Sequence, residues 1–135
     1  MSRPSLRPLL ARGRTLVAPG VFDLISTHMA NQYPFEAQYM TGFGVVASHL
    51  GLPDAGLISY REMLDAGREV CAATTIPVIA DADTGFGNPV NVRRTVAGYH
   101  QAGFACVMIE DQVFPKRCGF AQGLEVAPRE EALLR

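Results

Sequence analysis

Asp81, Asp83 and Glu110 are the residues whose types and spacing best suit chemistry. Asp81 and Asp83 close an apolar run, Pro77-Val78-Ile79-Ala80, and are followed by Thr84-Gly85-Phe86-Gly87. Side chains two apart on a strand share a face, so the two carboxylates are expected to converge on one spot. A second apolar run, Ala105-Cys106-Val107-Met108-Ile109, also ends in acid, at Glu110. Hard oxygens at neighbouring strand ends suit Mg²⁺ or Mn²⁺, which keep several waters and take few protein carboxylates. Any one of these acids alone reads more readily as a helix cap or an ion-pair partner. Three together, beside Gly85 and Gly87, favour a metal site.

Two further stretches fit the same rim. Thr41-Gly42-Phe43-Gly44 follows a strand pattern, and a Gly-bearing turn that opens a helix exposes backbone N–H groups to an anion such as a carboxylate. Lys116-Arg117-Cys118-Gly119 lies in a long loop, where two cations beside a thiol would lower its pKa and equip it as acid, base or nucleophile. The alternative is an incidental loop cysteine. Cys71 and Cys106 fall in helix and strand patterns and read as core. His28, His49 and His100 lack ligand spacing and read as structural or surface residues.

The elements that must position these groups alternate. A helix is expected over residues 5–12, closed by Gly13, then a short strand over 15–18. Asp23 caps or begins a helix to about Gln32, ended by Tyr33-Pro34. A strand over 37–40, a short helix over 45–50 and a turn over 51–56 follow. Ser59 with Glu62 forms a capping box for a helix to about Thr74. The third strand is 77–81, and Asn88 with Pro89 starts a helix to about Ala102. The fourth strand is 105–110, residues 112–126 are an irregular loop, and Pro128 begins a last helix. This β-α alternation predicts an α/β fold with a parallel sheet.

Bulk properties exclude several classes. At 135 residues the chain is one domain at most, well short of the roughly 250 residues of a usual (β/α)8 barrel. A net charge of −1 implies no nucleic-acid partner, and no apolar run reaches membrane-span length. Three cysteines without paired spacing suggest reduced thiols and a cytoplasmic setting. Arg3, Arg7, Arg12 and Arg14 precede the first acid, Asp23. That fits a leading helix as well as an organelle transit peptide.

Taken in order, the segments 81–88 (Asp-Ala-Asp-Thr-Gly-Phe-Gly-Asn), 109–112 (Ile-Glu-Asp-Gln) and 115–119 (Pro-Lys-Arg-Cys-Gly) resemble the isocitrate lyase/phosphoenolpyruvate mutase superfamily. Tyr39-Met40-Thr41-Gly42 and Leu52-Pro53-Asp54 match it too, and the 2-methylisocitrate lyase-like branch is the nearest in look. The resemblance covers about residues 16–135. It implies the first half of a (β/α)8 TIM-type barrel, about four β/α units over 1–135, with the C-terminal half absent from this chain. It implies Mg²⁺ (or Mn²⁺) held directly or through water by Asp81 and Asp83, with Glu110 and Asp54 in that network. Tyr39, Thr41, Gly42 and Phe43, with Gly119, would bind a small carboxylate substrate. Cys118, Lys116 and Tyr39 would be catalytic, the first two on a mobile loop.

The implied reaction is Mg-dependent C–C cleavage of a small 2-hydroxy di- or tricarboxylate of the 2-methylisocitrate, isocitrate or dimethylmalate type, releasing pyruvate or glyoxylate. Cleavage of oxaloacetate, phosphonopyruvate-type chemistry and a truncated, non-catalytic remnant are the alternatives. A complete barrel would be a homo-oligomer, the family tetramer. Where the lyase loop usually continues to His, this chain has Phe120, which cannot transfer a proton.

Overall fold

A computed structural model describes residues 5–135. Arg3, one of the four early arginines, lies outside them. The elements run α1 (Arg7–Leu10), β1 (Gly20–Val21), α2 (Leu24–Ala30), β2 (Gln38–Met40), α3 (Gly42–Leu50), α4 (Tyr60–Ala72), β3 (Val78–Asp81), α5 (Pro89–Ala102), β4 (Cys106–Met108) and α6 (Arg129–Ala132). The four strands form one parallel sheet in the order β1-β2-β3-β4. This is the α/β architecture expected from the alternation.

The helices start where local chemistry satisfies their first N–H groups. Asp23, Ser59 and Asn88 each cap a helix with a reciprocal box, to α2, α4 and α5 respectively. Such a cap contributes about 1 kcal/mol. Gly51 and Gly103 end α3 and α5 in the left-handed conformation.

Register sets two faces. Gly20, Tyr39, Ile79 and Cys106 lie in one row across the sheet, and Val21, Met40, Ala80 and Val107 in the next. Val21, Met40 and Ala80 are buried and share a core with Val45, Met63, Leu64, Val70, Tyr99 and Phe104. Each large member contributes about 1.5–3 kcal/mol by leaving water. The opposite face carries Tyr39, Ile79 and, two rows higher, Asp81. Tyr99 crosses from the helix layer, packs on Phe104 with ring centres 5.1 Å apart, and points its hydroxyl at the Asp81 carbonyl, 3.4 Å away.

Three expectations need correction. The first strand is Gly20–Val21, not residues 15–18. β2 has three residues, and its ladder partners begin at the Pro19 carbonyl, so residues 15–18 precede the register and Val17 is exposed. Helix α3 starts at Gly42, not at residue 45: Thr41 is its N-cap, so the glycine turn is the helix's first turn. The first helix is only Arg7–Leu10.

Candidate functional site

The site is built where β2, β3 and β4 end, and it has two halves. In the first, Asp81 ends β3 and is met by three donors. The Tyr39 hydroxyl donates to Oδ2 at 3.1 Å, the Gly42 N–H to the same oxygen at 3.0 Å, and the Asp83 N–H to Oδ1 at 3.0 Å. Gly42 is required by closeness, since a Cβ there would stand 2.8 Å from Asp81 Oδ2. The start of α3 therefore does hold a carboxylate, and it is the chain's own. Tyr39 is pushed up from the ordinary 10.0, first by burial and then by Asp81, Glu110 and Asp83. In this arrangement its phenol is a donor rather than a base.

The second half surrounds Lys116, which is 2% exposed. Its Nζ lies 2.6 Å from Asp83 Oδ1, 3.0 Å from Asp54 Oδ1 and 3.8 Å from Glu110 Oε1. Neither aspartate oxygen receives a hydrogen bond of good geometry, so these contacts are ionic and weakly directional. Burial pushes the Asp83 carboxyl above its ordinary 3.8, and Lys116 offsets only part of that. Burial likewise raises Glu110 above 4.5, with Lys116 opposing. For Lys116 itself burial works against the charge, but Asp83 and Asp54 outweigh it and hold the ammonium above 10.5.

Asp83 does not arrive by strand alternation. β3 stops at Asp81, and Asp83 sits at φ 46°, a left-handed conformation uncommon for aspartate. The turn is held by the Asp83 carbonyl, which accepts from the Glu110 N–H at 2.7 Å, and by Gly85 N–H donating to Ala82 at 2.8 Å. A Cβ on Gly85 would stand 2.5 Å from Val92. Glu110 also lies beyond its strand, since β4 ends at Met108.

Gln112 was not singled out by the sequence reading. It is buried, and its amide donates to Glu110 Oε2 at 2.7 Å and to the Arg117 carbonyl at 2.9 Å, while its oxygen accepts from the Arg117 N–H at 3.0 Å. It ties the loop that carries Lys116 to the acid at the end of β4. Its place directly after Glu110-Asp111 was the available signal. The loop's neck is closed by the Gln112–Val126 bridge, and Phe114 lies against Gly56, beside Asp54. A cavity of about 350 Å³ opens beside Asp83, walled by Ile58, Tyr60, Phe86 and Phe114.

Cys118 lies two residues beyond Lys116 and is partly buried. The expected cationic surroundings are drawn elsewhere, because Lys116 is engaged with the acids and Arg117 donates to the Gln122 carbonyl at 3.2 Å. Phe43 and Gly119 are exposed, and Phe120 at the loop tip is 98% exposed.

Among the described residues, no three Asp, Glu, His or Cys side chains are arranged to hold a metal ion at once. The expected convergence of Asp81, Asp83 and Glu110 is replaced by a division: Asp81 faces its three donors, and the others face an ammonium. Like charges brought together need partners, and these are the partners at hand. The donor set nevertheless fits a hard divalent ion. Three carboxylates share a single ammonium, with a fourth, Asp81, beside them, so the site carries more negative charge than its one cation offsets.

Residues 6–133 match the profile of the phosphoenolpyruvate phosphomutase family. The chain is similar to the 2,3-dimethylmalate lyase of Eubacterium barkeri, with 48% identity over 126 residues, covering 93% of this chain and 44% of that one. It is similar to the solved structure of oxaloacetate acetylhydrolase in complex with 3,3-difluorooxalacetate, at TM-score 0.93 and 38% identity, covering 98% of this chain and 48% of that one. It also matches phosphonopyruvate hydrolase in complex with oxalate and Mg²⁺, at TM-score 0.83 and 36% identity, covering 93% and 42%. The chain spans less than half the length of each of these proteins.

Proposed function

The chain belongs to the phosphoenolpyruvate phosphomutase family, and from that premise we propose that the protein it represents is a divalent-metal-dependent carbon–carbon lyase acting on a small 2-hydroxy di- or tricarboxylate. The observation that carries this reading is the gathering of Asp54, Asp81, Asp83 and Glu110 from three segments, the turn after α3 and the ends of the parallel strands β3 and β4. A loop bearing a thiol closes over that cluster. The likeness to a dimethylmalate lyase supports the reaction class.

Asp81, Asp83, Glu110 and Asp54 would hold Mg²⁺ or Mn²⁺, directly or through water. The ion supplies Lewis-acid charge beside the oxygens of a 2-hydroxy or 2-oxo carboxylate. Tyr39 and the Gly42 N–H orient Asp81. Thr41 and Phe43, where β2 gives way to α3, and Gly119, on the 112–126 loop, would contact the substrate's carboxylate. In the reaction the hydroxyl at C2 would give up its proton to a water in the site, the C2–C3 bond would break, and C2 would become the carbonyl carbon of a 2-oxo acid. The electron pair stays on C3, stabilised by the neighbouring carboxylate. Cys118 would deliver the proton that C3 needs, while the 112–126 loop excludes water.

Incubation with Mg²⁺ and 2,3-dimethylmalate, 2-methylisocitrate or oxaloacetate, with the oxo-acid product followed, tests the class. Cleavage of a 2-hydroxy acid that stops with chelator is the expected result. Cleavage of oxaloacetate alone would favour a hydrolytic reading, which the likeness to oxaloacetate acetylhydrolase supports. Cys118→Ser should lower turnover by about a hundredfold or more and leave Mn²⁺ affinity unchanged. Equal loss of both would remove Cys118 from the chemistry.

A further inference from the structure

Met108 is the last residue of β4 and pairs in register with Asp81 at the end of β3. Partners in a parallel ladder share a face, so its side chain lies on the face that carries Tyr39, Ile79 and Asp81. Alternation along the chain agrees. Val107 and Ile109 pack against the helix-side core, and Met108 between them turns the other way. The Met108 carbonyl accepts from the Ala82 N–H at 3.0 Å, which ties this strand tip to the turn that carries Asp83. The groups nearest to it along the tips are polar: Tyr39, Asp81 and, just beyond β4, Glu110. Among them Met108 is 49% exposed, an uncovered apolar side chain at the level of the acids. Ile79 and Cys106 continue the apolar surface two residues below.

We propose that Met108 touches the substrate and selects a dicarboxylate that carries an alkyl substituent over the unsubstituted acid. This rests on the substrate site of the preceding reading and names one contact within it. Neighbouring strands lie about 4.8 Å apart, so a small acid held beside Asp81 reaches the tip of β4 with the next one or two of its carbons. What those carbons bear decides the fit. A carboxylate laid on the Met108 thioether would shed water and gain no hydrogen bond there, which costs free energy. A methyl group laid on it sheds water at a gain, about fourfold in affinity for each one covered. Methionine suits this task because its side chain is unbranched and polarisable and takes the shape of what it meets. The acids and N–H groups around it then orient the polar atoms, and Met108 reads the apolar remainder.

The chain has five methionines, so ¹³C at their ε-methyl groups gives a small, assignable set of NMR signals. Met40 and Met63 are buried in the core and Met29 lies on α2, which makes them internal controls. The probes are 2,3-dimethylsuccinate and succinate, which lack the hydroxyl and so stay uncleaved, each titrated in Mg²⁺. The expected result is that 2,3-dimethylsuccinate binds about fourfold more tightly or better and shifts the Met108 signal, while the three controls stay in place. Met108→Gln, of similar length but polar, should bring the two affinities to within about twofold, and Met108→Leu should keep them apart. The Met108 signal is assigned by its loss in either variant, so the shift remains a test if one of them does not fold. Binding of both acids with equal affinity, an unmoved Met108 signal, or a preference that survives in folded Met108→Gln overturns the role of Met108 and leaves the acid-binding site standing. Absence of binding of either acid overturns that site, and the role of Met108 with it.

Discussion

Asp81 and Asp83 are two residues apart and are held in opposite ways. Asp81 sits among directional donors, namely the Tyr39 phenol and the N–H groups of Gly42 and Asp83. Asp83 sits against a charge, the Lys116 ammonium, without an aligned bond to the oxygen that faces it. The first kind of partner belongs to β2 and to the start of α3, which are part of the packed sheet-and-helix body. The second is carried on a loop. Directional bonds fix an orientation, whereas a lone charge fixes only a sum of charges. One half of the site is therefore fixed in orientation, and the other is fixed chiefly by charge.

Four measurements would break or sharpen that contrast. Lys116→Met leaves the buried Asp54 and Asp83 and the half-buried Glu110 together without their cation. In chelator it should cost about 3–5 kcal/mol in urea unfolding, recovered on adding Mn²⁺. A loss that Mn²⁺ does not restore would mean the loop half is as specific in its partner as the Asp81 half. Gly42→Ala drives a methyl against Asp81 Oδ2 and should cost about 1–3 kcal/mol, with or without Mn²⁺. Tyr39→Phe removes one of three donors to Asp81 and should cost about 1 kcal/mol, with the other two keeping the carboxylate in place.

The smallest effect lies in the acid titration. Burial raises Asp83 and Glu110 above 3.8 and 4.5, so the folded chain retains protons there that the unfolded chain has shed. Their contribution to stability is present at lower pH and is lost as pH rises through that window. Glu36 and Asp65 are lowered, chiefly by hydrogen bonds from Arg14 and Arg61, so their contribution is lost as pH falls below 4.5 and 3.8. Denaturant unfolding across the acid range, in chelator, should show Asp83→Asn weakening the decline on the rising-pH side and leaving the falling-pH side as it was.

The fold was legible wherever a local signal decided it. Asp23, Ser59 and Asn88 announced their helices because a cap is a matter of three or four consecutive residues. The apolar runs before Asp81 and Glu110 announced β3 and β4 for the same reason. The first strand was misplaced because its position is set by register against β2, which residues 15–21 alone do not carry. The acids were legible as a set, but not in their arrangement. The strand-alternation argument put Asp83 beside Asp81 on one face, whereas the chain leaves β3 at Asp81 and turns through a left-handed residue. Lys116 was read as a neighbour of Cys118, because adjacency in sequence hides a side chain reaching across to Asp54, a residue sixty-two positions earlier. Gln112 went unassigned because an amide that fastens a loop leaves no periodic trace.

The parallel register has a consequence for how such a site can change. A parallel sheet twists with one hand, so its strand tips fan out along an arc. Asp81, Asp83 and Glu110 occupy the sector at the tips of β3 and β4, and Tyr39 and Thr41 the sector at β2. Under the proposed function, a grip on the inorganic partner and a choice of organic one would thus draw on separate strands. Substitutions along one sector would then retune selectivity while the other went on supplying charge.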